Sequence, residues 1–192
     1  IRPSWGRVSR YGVDGASWSL DTIGPISRTV EDCAVTLGVI AGHDPKDPYT
    51  WDVPVPDYRA ALSGDVRGMK IGLVKELLDP GGLCVTEQVR KAVIEAVQLL
   101  ASLGAEVDEV SLPLAPLAGI ASRTISSVER TSLRPEWLRE RPQDFHHNTR
   151  VAFMTGQIIP SQTYYKAQKL RALIRRQTLE TLDRYDILAM PT

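Results

Sequence analysis

Two cysteines in 192 residues cannot build a disulfide framework, and Cys33 and Cys84 show no metal-ligand spacing. Charge is balanced, with 23 Lys and Arg against 23 Asp and Glu. The basic surplus that would draw nucleic acid or an anionic membrane is therefore missing, and neither is an expected partner. No run approaches the ~18 apolar residues of a membrane span. The first residues also lack the basic, apolar and small-residue pattern of a secretory signal, so a reducing cytoplasm is the expected compartment.

Chemistry built on a few hallmark residues is equally short of material. There is no Gly-x-Ser-x-Gly elbow, and three histidines do not make a triad. His146 and His147 are neighbours in a polar stretch and read as exposed, while His43 sits in a Pro-rich run. Around it, Asp44, Asp47 and Asp52 fit neither an EF-hand nor a zinc spacing, so a solvated loop is expected.

Local patterning gives an α/β chain. Met69–Val74 reads as a strand, Thr86–Leu103 as a helix and Glu106–Val110 as a second strand. On the helix, Val89, Val93, Ala96, Val97, Leu100 and Leu103 share a face, and Gly104 follows its end. Strand, long helix and strand make a βαβ unit, which implies parallel pairing with a right-handed crossover. The connection Asp79-Pro80-Gly81-Gly82-Leu83 has neither the dinucleotide fingerprint nor a P-loop lysine, so the unit reads as scaffold.

Further helices are expected over Asp57–Leu62, Leu117–Thr131 and Gln162–Asp183. The last should turn Tyr164, Ala167, Leu170, Ile174 and Leu182 inward and leave Arg175 and Arg176 on a solvated face. Between the last two, Arg134 to Pro142 reads as a charged connector. Tyr185 to Thr192 reads as a strand running into a Pro-Thr pair.

The opening carries the most information. Gly6 and Gly12 bracket a basic, hydroxyl-rich run, Gly24-Pro25 is a turn dipeptide, and Asp21 is placed to accept bonds from that turn's free N–H groups. Thr29 is a candidate N-cap with Asp32 at the capping-box position. Val30, Cys33, Ala34, Leu37, Ile40 and Ala41 then share a helical face, Cys33 as a small core residue, and Gly42 ends the helix.

Taken together, Arg2-Pro3-Ser4-Trp5-Gly6-Arg7-Val8-Ser9, then Ser19-Leu20-Asp21-Thr22-Ile23-Gly24-Pro25-Ile26-Ser27-Arg28-Thr29-Val30-Glu31-Asp32, then Ala41-Gly42-His43-Asp44-Pro45 closely resemble the amidase signature family of hydrolases. Trp137-Leu138-Arg139-Glu140-Arg141-Pro142 and Tyr185-Asp186-Ile187-Leu188-Ala189-Met190-Pro191-Thr192 continue the likeness.

The resemblance implies part of a mixed β-sheet core flanked by helices, residues 1–192 being the C-terminal part of one amidase domain cut at both ends. It implies cleavage of a small-molecule carboxamide by an upstream Ser, cis-Ser and Lys, so no catalytic residue is expected here and no metal or cofactor. Arg2 to Gly12 would back the nucleophile. Arg150 is the candidate substrate-binding residue, although an ordinary surface ion pair is its plainer reading. The resemblance leaves a homo-oligomer open.

Membership of a complex that amidates charged tRNA, as one of its subunits, is a second reading. Against it, Glu129 is followed by Arg130-Thr131-Ser132-Leu133, where such subunits carry an Asn-Leu-Ala-Arg-Tyr-Asp-Gly run. A non-catalytic structural fragment is the third.

Overall fold

The computed structural model describes residues 1–78 and 85–192. Cys84 and the glycine-bearing connection Asp79 to Leu83 lie outside the described residues. The chain divides into two compact units, Ile1–Gly64 with Ile125–Ile159, and Asp65–Thr124 with Pro160–Thr192.

The second unit holds the sheet. Strand β1 (Lys70–Val74) is central, in the order β2-β1-β3, with β2 (Glu106–Val110) and β3 (Ile187–Ala189) both parallel to it. Ile71, at 1 % exposure, and Val74, at 0 %, show why this strand is an unbroken apolar run: it is covered on both faces. Between β1 and β2 lies a helix, Glu87–Ser102. Thr86 caps its start by accepting from Val89 N at 3.4 Å, and Gly104, at φ 103°, leaves the helix in a conformation other residues resist. The parallel βαβ pairing expected from the sequence is present, in register from Lys70 opposite Glu106 to Val74 opposite Val110.

β3 is clamped in register by one residue. Asp186 accepts from Lys70 N at 2.8 Å through its carboxylate, and its own N–H donates to Lys70 O at 2.9 Å. At the other end of β1, Glu76 accepts from Ser111 Oγ and from Leu112 N. Burial alone would raise this carboxyl, but the bonds from Ser111 and Leu112, with its own backbone N–H and the Lys75 charge, together outweigh it and hold the group below its ordinary value. The long helix before β3 runs Ser161–Leu182, one residue off the expected bounds at each end. Ala167 is buried on it, but Leu182 is exposed rather than inward.

In the first unit, α1 (Val30–Ile40) starts as expected, Thr29 Oγ1 accepting from Asp32 N at 3.0 Å. Its supposed inward face is mostly uncovered. Leu37 alone is buried, Val30 is 72 % exposed and Cys33 is half-buried, so the helix is pinned by one residue instead of a stripe. The helix stops because Ala41 turns extended and forms an antiparallel bridge with Val8, just before Gly42 at φ 136°.

Asp57–Leu62 is not a helix. The Asp57 carboxylate takes the N–H groups of Arg59 and Ala60, both at 3.0 Å, and closes a turn in place of the helical ladder. The charged connector is a helix, Pro135–Glu140, with Pro135 at its first position and Leu138 buried. A further helix, His147–Ile158, follows in a stretch the apolar pattern was too sparse to reveal.

The helix Ala118–Leu133 crosses from one unit to the other. In the first unit it meets His147–Ile158 at Gly156, where an added Cβ would overlap Ser127 O and Thr131 Oγ1. The Thr131 hydroxyl lies 2.8 Å from the carbonyl oxygens of both Ser127 and Phe153, tying the two helices together.

Gly156→Ala should therefore cost about 1–3 kcal/mol in chemical denaturation, as overpacking does. Gly38→Ala, in the middle of α1 with open space around it, should gain about 0.5–1 kcal/mol. The Glu76 carboxyl, depressed by folding, contributes stability above its unfolded value near 4.5. That contribution should disappear as pH falls through the lower folded value, so Glu76→Gln should flatten the acid limb of a pH–stability curve.

Candidate functional site

No regular structure occurs from Ile1 to Thr29, so the backbone polar groups of this segment need partners from elsewhere. Carboxylates supply many of them. Glu129, on the helix Ala118–Leu133 and buried, accepts from Ser17 Oγ at 2.6 Å, Ser19 N at 2.9 Å and Ser19 Oγ at 2.7 Å. Three such bonds to a charged acceptor are each stronger than a neutral bond and offset the desolvation of a buried carboxylate.

Asp21 accepts from Ala16 N at 2.6 Å and Ser17 N at 2.8 Å. Its partners precede it, so it does not brace the Gly24-Pro25 turn as its position suggested. Gly24 has no positive φ; it is glycine because a Cβ would run into Ile1 O and Pro3 Cδ.

The basic run faces the Pro-rich loop of the same unit. Arg7 is buried and donates through Nε to Tyr58 Oη at 2.8 Å and through its terminal nitrogen to Pro54 O at 3.0 Å. Arg10 lies over Trp5, Trp18 and Tyr49, 4.8, 5.6 and 5.8 Å from the ring centres. Its backbone N–H donates to buried Asp47 at 2.8 Å.

Ser9 Oγ donates to Asp44 at 2.6 Å. That bond, with one from Lys46 N, holds the Asp44 carboxyl below its ordinary value against a smaller opposing effect of burial. These aspartates thus fold the loop around the opening; among the described residues no His, Cys, Asp and Glu grouping could hold a metal. His43 faces Thr50 Oγ1 at 3.2 Å, and His146 and His147 are exposed.

Among the cavities that adjoin the opening, two share Gly15 and Arg134 in their walls. One, of about 450 Å³, is lined by residues that include Arg10, Trp18, Lys46, Tyr49 and Arg134. The other, of about 300 Å³, is walled by Asp14 to Ala16, Arg130, Arg134, Trp137, Thr149 and the Phe145–Phe153 pair, whose ring centres are 5.0 Å apart. Arg134 is committed to Asp14 by an ion pair. Arg130 is not: among the described residues its Nε has no acceptor, and it is shut from solvent, a situation that costs about 1–3 kcal/mol for an unmade bond.

Arg150 stands half-buried in the first turn of the helix His147–Ile158, next to Thr149, and lines neither cavity. No ion pair reaches it among the described residues. Sequence reading passed over Glu129 and Arg130 as functional residues. The signal was present for Glu129, because it continues the four-residue spacing of buried Ala121 and Ile125 and so puts a carboxylate in an apolar stripe.

The family profile described as Amidase matches residues 1–192. A glutamyl-tRNA(Gln) amidotransferase subunit from Roseiflexus sp. strain RS-1 is 40 % identical over all of this chain, which spans 44 % of that relative's length. Among solved structures, one concerning a vestigial protein complex and the origins of an s-triazine catabolic enzyme superposes with a TM-score of 0.87 at 29 % identity, over 97 % of this chain and 39 % of that one. A bacterial aryl acylamidase of the amidase signature family gives 0.76 at 27 % identity, over 100 % of this chain and 42 % of that one. With the opening run, the Gly24-Pro25 bend and the closing Tyr185–Thr192 segment all inside the matched span, the chain belongs to the amidase family.

Proposed function

We propose that these residues form a supporting and substrate-binding wall of an amidase, and that the polypeptide carrying them hydrolyses a carboxamide to a carboxylate and ammonia or an amine through a serine acyl-enzyme. The match to the amidase family across residues 1–192 is the observation that carries this reading. On that resemblance, the nucleophilic Ser, the bridging cis-Ser and the Lys base stand outside these 192 residues, within a single amidase domain that these residues help to build. The Lys, held neutral, takes the proton from the nucleophile by way of the bridging Ser. The reaction so drawn uses no metal or cofactor, and a reducing cytoplasm suits it.

The part played by this chain is positional. A nucleophile reaches a carbonyl only if the backbone behind it is fixed to a fraction of an ångström. Arg2 to Gly12 suits that duty, because Arg7, Arg10 and Ser9 are each tied to the loop that follows α1. Arg150, half-buried and without an anionic partner among the described residues, holds a polar acceptor of the substrate, for which the guanidinium fork is well shaped.

A second reading is favoured by the 40 % identity to one component of a tRNA-dependent amidotransferase: the ammonia released by the same chemistry is passed to an aminoacyl-tRNA within a complex. Stable copurification of partner subunits with the natural polypeptide would support it, and a lone active amidase would end it.

A fluorophosphonate probe should label the natural polypeptide once per chain and leave residues 1–192 alone unlabelled; stoichiometric labelling of the latter would overturn the placement of the nucleophile. Arg150→Gln should raise KM about tenfold and change kcat less than about twofold, the pattern of a lost binding contact. An unchanged KM would return Arg150 to a purely structural role.

A further inference from the structure

We infer that the cavity of about 300 Å³ beside the last turn of the helix Ala118–Leu133 binds a small aromatic carboxylate, and that Arg130 is the residue that holds its acid group. This rests on the hydrolase reading above and extends it by naming one substituent of the substrate, an aromatic group bearing a carboxylate separate from the amide that is cleaved.

Three observations converge on that class of ligand. The first is charge. The cavity is lined by two guanidinium groups, Arg130 and Arg134, and one carboxylate, Asp14. Arg134 and Asp14 neutralise each other, which leaves the positive charge of Arg130 uncompensated within the cavity wall.

The second is hydrogen bonding. Arg130 Nε is closed off from solvent and has no acceptor among the described residues, so an acid in the cavity would be met by the outer nitrogens of the same guanidinium. A guanidinium carries five donors and no acceptor, so an anion presenting two oxygens answers it better than a neutral group does. Thr149 adds a hydroxyl to the same wall.

The third is shape. Trp137, Phe145 and Phe153 line the cavity, and the tilt of 56° between the two phenylalanines leaves ring edges and faces available to a third ring. A volume of about 300 Å³ lies at the bottom of the range for small-molecule sites, roughly 300–1,000 Å³. One ring with a short acid chain is therefore the scale of occupant it suits.

The geometry also separates this group from Arg150. Thr149 lines the cavity while its neighbour Arg150 does not, so the contact proposed for Arg150 would be made outside it. Arg130 holds the acid, and Arg150 reaches a different acceptor.

The test is equilibrium binding to the natural polypeptide that carries these residues, by titration calorimetry at low salt, with 3-phenylpropionate as probe and 3-phenyl-1-propanol as its neutral match. Arg130→Gln should weaken 3-phenylpropionate about tenfold or more, as expected for loss of a charge-assisted pair. It should leave 3-phenyl-1-propanol within about twofold, and Arg130→Lys should fall between. Arg150→Gln should leave the acid's affinity within about threefold, since a residue outside the cavity contributes little.

Equal loss of both probes in Arg130→Gln, or loss of the acid in Arg150→Gln alone, would overturn the assignment. Hydrogen exchange on the unaltered protein gives a readout that needs no variant. Protection by 3-phenylpropionate should centre on residues 14–16 and 130–153, and protection confined elsewhere would also overturn it. The two readings fail separately. A protein that binds the acid through Arg130 yet hydrolyses no amide defeats the hydrolase alone, and a working amidase indifferent to Arg130 defeats this inference alone.

Discussion

A backbone without helix or strand must still satisfy its N–H groups, and in this protein side-chain carboxylates answer much of that demand. From Ile1 to Thr29 the chain has no ladder of its own. Glu129 takes bonds from Ser17 and Ser19, Asp21 from Ala16 and Ser17, and Asp47 from Arg10. The balanced composition, which argues against nucleic acid, is thus used internally: acids order the basic run that would otherwise be a loose, charged loop. Pre-organisation of this kind is what the role proposed for this segment, behind a nucleophile, would require.

The same accounting separates the arginines. Arg7 and Arg10 are committed, one to Tyr58 and Pro54, the other stacked among Trp5, Trp18 and Tyr49. Arg134 is committed to Asp14. Among the described residues, Arg130 has a donor that nothing answers. The indole N–H of Trp5 shares that condition, but it is neutral and carries one donor where the guanidinium carries a charge and five. A buried cationic donor left open is costly for folding, and the binding proposed for the cavity beside it would give the same guanidinium a partner.

Legibility in the sequence followed the strength of the local signal. Strands and helices with their own punctuation were readable: Thr29 as a cap, Thr86 as a helix start, Gly104 just past a helix end, Met69–Val74 as a strand. Two errors came from the same physics. Asp57 offered a turn stronger than the weak helical pattern behind it, and Asp21 turned its carboxylate backwards to Ala16 and Ser17 where a forward brace was expected. The face of α1 was misread because periodicity shows which residues can be covered, not whether anything covers them; Val30 is exposed and Leu37 buried on the same stripe. The family was legible from Gly, Pro and basic residues in fixed order. The cavity was not, since Asp14, Arg130 and Phe153 meet only through tertiary folding.

The bonds from Ser17 and Ser19 to Glu129 join residues 110 and 112 positions apart. A ribosome adding about 5–20 residues per second needs roughly 5–20 s to cover that interval. Throughout it, the stretch around Ser17 is made but cannot adopt its final arrangement, and its aromatic side chains stand open to chaperones, proteases or like segments of neighbouring chains. Long loop closure also makes such contacts slow to form once both ends exist. The earliest part of these residues to leave the ribosome is thereby among the last to be secured, and a mutation that merely delays synthesis of the helix around Glu129 would lengthen that vulnerable interval without altering the finished fold.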